Sequence, residues 1–297
     1  MRLQQFSDPY LRKLTPLVGD YCAGNPAVRN FYSTLPVADE IAEQVKNRVF
    51  TPDAFDVLHQ TLSDQYAGLT IHQKVLENMK AIADHNAACV TTGHQLCILG
   101  GPAFMVYKIL STIKLASSIQ AHVSDKKIVP VFWLASEDHD RDEINHLYVQ
   151  QKRLEWNTQQ TGAVGRFSNE GLSEVLQAYS EIVNDEASLR HIEFFRQLIS
   201  QHTTLAAATS AWINACFGEW GVIVIDADDA RLKRLFVSTM RKELLHQSTY
   251  AAVTETNAHL KQLGYEPQVN PRELNLFYLQ KNSRVRIESI NGAWHTV

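Results

Sequence analysis

Residues 87–140 read AACVTTGHQLCILGGPAFMVYKILSTIKLASSIQAHVSDKKIVPVFWLASEDHD, and this stretch decides the fold class. Ala87 to Thr92 is a short apolar run ending at Gly93, which reads as a buried strand. Gly100-Gly101-Pro102 then opens a helix to about Ala121, with Pro102 near its first turn. That helix is apolar on nearly all sides, so it is expected to be sandwiched between layers. Lys126-Lys127 marks a turn. Ile128 to Ala135 is a second buried strand, with Pro130 tolerable near its start. Strand, helix, strand is one crossover unit with parallel strands.

Upstream, Pro9, Pro16, Pro26 and Pro36 break any long helix in the first 50 residues. Thr51-Pro52 reads as an N-cap followed by proline at the first helical position. Helical spacing continues from there to about Ala83, with a break before Val75. Downstream, a short helix after Asp140 is expected to carry both Glu143 and His146. Leu147 to Trp156 reads as one strand. Residues from about 169 to 218 read as helical and more polar, an inserted or peripheral section. Gly221 to Asp226 is a third buried strand, followed by a helix over Asp229 to Leu245. Asn275 to Trp294 alternates as one or two hairpins. The whole predicts a three-layer, doubly wound α/β fold with a mostly parallel sheet and a helical insertion.

The chain has 297 residues, 45% apolar and 20% charged, with net charge -4. That is enough to bury a sizeable core and too apolar for disorder. No basic block points to nucleic acid. Met1 to Tyr10 has no signal-peptide core, and no window matches the roughly 18 uninterrupted apolar residues of a membrane span. Cys22, Cys89, Cys97 and Cys216 are widely separated, with no zinc-type spacing. They are expected to be reduced and mostly buried in a cytoplasmic protein.

Ligands of an open parallel sheet bind beyond the carboxyl ends of its strands. Two polar segments fall there. Thr92-Gly93-His94-Gln95 follows the first strand; Gly93 permits a sharp turn, and His94 and Gln95 offer hydrogen bonds. The helix opened by Gly101 could hold an anion on its free N–H groups, with Lys108 about two turns further on. Glu137-Asp138-His139-Asp140 directly follows the second strand. Three carboxylates and an imidazole there are hard to explain by packing and would perturb one another's titration. Such a group can carry protons, hold an ammonium or bind a hard cation. The spacing of His139 and His146 is not a recognised metal-ligand pattern, and no metal is assigned. Arg284 and Arg286 could grip a carboxylate.

The order Thr92-Gly93-His94-Gln95, Gly101-Pro102 with Tyr107-Lys108, Lys114-Leu115-Ala116, and Pro130-Val131-Phe132-Trp133 leading to Glu137-Asp138-His139-Asp140, Glu143 and His146 resembles the bacillithiol biosynthesis cysteine-adding enzymes. Asn275-Leu276-Phe277-Tyr278 with Arg286 is similar to a later segment of that family. The resemblance covers nearly the whole chain. It implies a Rossmann-like core over 1–297, a connecting insertion at about 165–218, and a ligase joining cysteine to glucosaminyl-malate in the last step of bacillithiol synthesis. Members are longer and end in a dimerising coiled coil. The expectation is therefore a chain that stops at Val297, before that coiled coil, without the family's dimer. Many members carry Gln at the position of His94, so this loop reads as an anion-holding turn and not as the source of a base.

Amide formation from a carboxylate needs activation, for which a nucleotide such as ATP is suited. On this reading Glu137, Asp138, His139 and Asp140 are catalytic: the carboxylates hold the cysteine ammonium and His139 moves a proton. Thr92, Gly93, His94, Gln95, Gly101, Lys108, Glu143, His146, Asn275 and Arg286 bind substrate, Lys108 neutralising an anionic group. Two alternatives remain. One is a metal-dependent hydrolase using His94, Asp138, His139 and His146; the other is a nucleotide-binding module without catalysis.

Overall fold

A computed structural model of the chain describes residues 16–48 and 51–297, so Pro9 and Met1 to Tyr10 lie outside the described residues. These residues divide into two compact units. The larger comprises 51–237 and Phe277–Val285. The other comprises 16–48, Ser238–Leu276 and Arg286–Val297.

The larger unit is built on a three-stranded sheet, β1 (Ala87–His94), β2 (Lys127–Leu134) and β5 (Ile223–Asp226), in the order β1-β2-β5. Both pairings are parallel. A mixed α/β fold with a parallel sheet is therefore established. Ahead of β1 run α3 (Pro52–Gln65) and α4 (Gln73–Ala83). Helix α5 (Ala103–Gln120) crosses from β1 to β2. The β2-to-β5 connection contains α6 (Arg141–Ile144), the strands β3 (His146–Val149) and β4 (Lys152–Glu155), then α7 (Leu172–Ser180), α8 (Glu186–Gln201) and α9 (Leu205–Phe217).

Alternation along the strands splits the core into two clusters. Phe132, Leu134, Val222 and Val224 share one with Met105 and Ile109 of α5 and Trp212 and Ile213 of α9. Val129, Val131, Ile223 and Ile225 share the other with Leu62 and Tyr66 of α3 and Val75, Met79 and Ile82 of α4. Each fully buried aliphatic or aromatic side chain of this kind contributes about 1.5–3 kcal/mol.

In the smaller unit, α1 (Pro16–Cys22) and α2 (Ala38–Asn47) accompany most of α11 (Val237–His246) and all of α12 (Ser248–Gln262). The buried Glu243 carboxylate accepts the Thr249 N–H and both the Ser248 and Thr249 hydroxyls, and also takes the Asn275 N–H at 3.2 Å. Tyr265 donates its hydroxyl to Asp20 at 2.6 Å. Further strands are β6 (Phe277–Leu279), β7 (Arg284–Ile290) and β8 (Ala293–Thr296), and β7 and β8 pair antiparallel.

Several expectations need correction. Strand β1 is buried only at Ala87 and Ala88, because among the described residues it pairs on one side alone; Cys89 and Thr91 face outward. The thiols are all free; as whole residues Cys22 and Cys89 are exposed and Cys97 and Cys216 half-buried, while burial of the sulfur still raises the thiols of Cys89, Cys97 and Cys216. Helix α5 is not sandwiched. Only the stripe Met105, Ile109, Thr112, Ala116 and Ile119 meets the sheet, leaving Phe104 63% and Tyr107 56% exposed. Residues 147–156 are not one strand. They are most of the β3–β4 hairpin, turned through Gln150 and Gln151, both at positive φ. The section from 169 to 218 is helical but not peripheral throughout, since α9 is nearly all buried. The helix after β5 breaks at Leu235-Phe236 into α10 (Ala230–Arg234) and α11.

Candidate active site

The register of β1 and β2 sets the site. Gly93 lies opposite Trp133 and His94 opposite Leu134, so both polar segments leave the sheet side by side. Thr92, Gly93 and His94 are still strand, so the chain does not turn at Gly93. The Gly93 carbonyl instead accepts the Lys108 ammonium, which also sits 5.5 Å from the Phe104 ring.

The loop after β2 is held from three sides. Ser136 donates its hydroxyl to Asp226 at the end of β5 and accepts the Asp228 N–H at 3.1 Å. Val164 and Gly165 donate their N–H groups to the carbonyls of Asp138 and Ser136 at 2.7 and 2.9 Å. This approach requires glycine at 165, where a Cβ would sit 2.4 Å from the Ser136 Cβ. Asp140 caps α6 through the Glu143 N–H at 3.3 Å.

Asp138 is the junction. Its carboxylate accepts the Gln95 amide nitrogen at 2.7 Å, the His139 N–H at 2.7 Å and Arg284 Nη1 at 3.1 Å. Arg284 stacks 4.2 Å from the Phe277 ring and approaches His139 Nδ1 at 3.4 Å. Burial opposes the charge on Asp138, but the Gln95 and His139 donors and the Arg284 charge outweigh it and hold the carboxyl below its usual range. The neighbouring Glu137 goes the other way. Burial raises its pKa against the Lys233 and Arg284 charges, and its Oε2 is buried with no hydrogen-bond partner among the described residues. Beside it, Asp228 is held by Arg166 and Lys233. Two adjacent carboxyls with opposed environments make a differentiated acid–base pair.

Two cavities flank this junction. One, of about 520 Å³, is bordered by His94, Gln95, Cys97, Glu143, His146 and His191 among others. The second, about 460 Å³, is bordered by His139, Asp140, Arg141 and Arg284. His146 is not on α6, which ends at Ile144; it opens β3, yet it reaches the same cavity as Glu143. The Cys97 Sγ lies 3.8 Å from His94 Nδ1, and burial, then the Glu143 charge, push its thiol up to about 11. Among the described residues no group of three or more His, Cys, Asp or Glu side chains is placed to hold a metal ion.

The whole of residues 1–297 matches the family described as bacillithiol biosynthesis BshC, N-terminal Rossmann-like domain. The chain belongs to the BshC family. A protein of Cytophaga hutchinsonii named "Putative cysteine ligase BshC" is 39% identical over 285 residues, 96% of this chain and 51% of that protein. Proteins of the same name in Flavobacterium johnsoniae and Christiangramia forsetii are 37% identical over 274 residues (91% and 51%) and 35% identical over 293 residues (96% and 54%). The chain spans about half the length of these curated relatives.

Gln95 and Asp138 are bonded to each other, with His139 at their side; His94, Gly101, Glu143 and His146 border the first cavity. Asn275 and Arg286 belong to the other unit, where the Asn275 N–H is held by Glu243 and the Arg286 backbone pairs with Val297. Sequence reasoning passed over Cys97, Tyr179 and His191, and named Arg284 only as one of two alike arginines. Tyr179 and His191 carry no local signal, because they come from α7 and α8. His191 Nε2 lies 3.3 Å from the Leu99 carbonyl across a long sequence gap.

Proposed function

We propose that this chain carries the Rossmann-like part of a cysteine ligase that joins L-cysteine to glucosaminyl-malate, forming an amide bond in the last step of bacillithiol synthesis. The observation that carries the reading is the Gln95–Asp138–Arg284 junction at the carboxyl ends of β1 and β2, in a chain of the BshC family. Glu137, Asp138 and Asp140 supply the negative charge that attracts the cysteine ammonium, Asp138 acting through the Gln95 amide it orients. His139, half-exposed beside Asp138, moves a proton. Lys108 fixes the end of β1 through the Gly93 carbonyl, and Thr92 belongs to the same wall.

Activation by a nucleotide such as ATP suits the chemistry, but Gly100 and Gly101 do not form an open phosphate cradle. A Cβ on Gly100 would meet the Trp212 ring at 2.3 Å, and one on Gly101 would meet the Cys97 Cβ at 2.6 Å.

We read the sheet as part of a three-layer doubly wound fold, supported by helices packed on both of its faces, and residues of about 165–218 as the connecting insertion whose last helix completes the crossover to β5. Among the described residues no helix is long and apolar enough to cross a membrane. Homodimerisation belongs to the family's full-length reading.

Isothermal titration with L-cysteine tests the assignment. The Asp138→Asn, Asp140→Asn protein should bind about tenfold more weakly than the parent, the loss of about one charge-assisted hydrogen bond. Equal binding sinks the carboxylate role.

A further inference from the structure

We infer that the 520 Å³ cavity seats the ammonium of the cysteine substrate on Gln95 Oε1 and the Glu143 carboxylate, with Asp138 as a positioning residue that aims the Gln95 amide. This inference rests on the cysteine-ligase reading and narrows it to particular atoms.

Asp138 fixes the direction of Gln95. A carboxylate held ionised offers only acceptors, so the group that Gln95 turns toward it at 2.7 Å must be the NH₂. The amide is thereby locked with its nitrogen spent. Its Oε1 has no donor among the described residues, and Gln95 borders the cavity. Arg284 and the His139 N–H hold Asp138 through its other oxygen, so the acceptor stays in place and a flipped amide would set oxygen against oxygen.

The rest of the cavity agrees in chemistry. Glu143 borders it and makes no hydrogen bond or ion pair through its side chain among the described residues; its charge is felt at the Cys97 thiol, further in. Among the described residues no lysine or arginine borders this cavity, whose basic groups are the imidazoles of His94, His146 and His191. A carboxylate and an oriented amide oxygen, facing imidazoles and no permanent cation, complement a ligand that brings its own positive charge and N–H donors. A primary ammonium fits. Ile98, Leu99 and Leu147 give the apolar wall that a short side chain such as CH₂–SH would need. Across the junction the neighbouring cavity is of mixed charge, with Arg141 and Arg284 beside Asp140 and Asp142.

The test compares binding of L-cysteine and N-acetyl-L-cysteine, which lacks the ammonium, to the parent chain and to Glu143→Gln and Gln95→Leu, with circular dichroism to verify folding. The parent should prefer L-cysteine. Each variant should lose about tenfold or more of that preference, with N-acetyl-L-cysteine binding unchanged. Asp138→Asn, whose amide can present either N or O to Gln95, should lose part of it. A merely structural role would weaken both ligands together, and that result would overturn the inference. A parent that prefers L-cysteine, with variants that keep the preference, overturns the inference while leaving the ligase reading intact. A parent that binds no L-cysteine overturns both.

Discussion

Gly101 lies at φ 72, ψ -166, a region that essentially only glycine occupies, and its missing side chain leaves room for Cys97. Gly101→Ala should therefore cost about 2 kcal/mol or more in urea unfolding, from strain and overpacking together. A cost within experimental error would show that this turn relaxes freely. Cys97 itself has a thiol pushed up to about 11 by burial and by Glu143. Only roughly one molecule in a thousand is thiolate at pH 8, so iodoacetamide labelling of Cys97 should keep rising about tenfold per pH unit through pH 10. Peptide mass spectrometry reads the site directly, and a plateau below pH 9 contradicts the buried environment. At this scale the residue types of the site were legible: Gln95, Asp138 and Glu143 stood out as polar groups placed where packing does not require them. Their pairing was not. Nothing in the local pattern distinguishes Arg284 from Arg286, and only the fold brings the first to Asp138.

The β3–β4 hairpin turns through Gln150 at φ 45 and Gln151 at φ 69. Two-residue turns of this kind favour Asn-Gly because both residues need positive φ. The missing Asn-Gly signal explains why residues 147–156 read as one strand. It also yields a stability prediction. Gln150→Asn with Gln151→Gly should raise the unfolding free energy by about 1 kcal/mol, seen as a higher urea midpoint at unchanged slope. No gain would mean that the turn is held by contacts outside the hairpin. Elements with a strong apolar pattern were read with fewer errors: β2 and β5 lie close to where their unbroken Val and Ile runs put them. Helix α5 was placed correctly but its exposure was not, since an apolar composition does not say which side meets the sheet.

Over the whole molecule, Glu137 and Asp138 should push acid stability in opposite directions. Asp138 has a depressed folded-state pKa, so its contribution is complete above the unfolded value near 3.9 and is lost as pH falls through the folded value. Asp138→Asn should lower stability at pH 7 by about 1 kcal/mol, and the gap should narrow toward pH 3. Glu137 has a raised pKa, so its ionised form costs stability above the folded value, and the cost vanishes as pH falls below the unfolded value near 4.3. Glu137→Gln should therefore be more stable than the parent at pH 7, with the gain fading in acid. Urea unfolding at several pH values checks both. Parallel profiles for the two variants would remove the basis for a differentiated pair. A destabilising ionised carboxyl kept at a strand end is the kind of cost that function imposes.

The sequence by itself determined the parallel crossover from β1 to β2 and the position of Glu137 to Asp140 beyond the end of β2, while of the first polar segment only Gln95 lies past its strand. Both follow from local physics: apolar runs must be buried, and side-chain-rich turns after them must leave the sheet at its carboxyl edge. It also carried enough ordered motif to place the chain in its family. Tertiary structure alone decided that Gln95, Asp138 and Arg284 form one chain of contacts, that Asn275 and Arg286 belong to the other unit, and that His191 of α8 borders the cavity. Those choices depend on register and on packing between segments far apart in sequence. Such contacts form only when the core closes, and no periodicity records them.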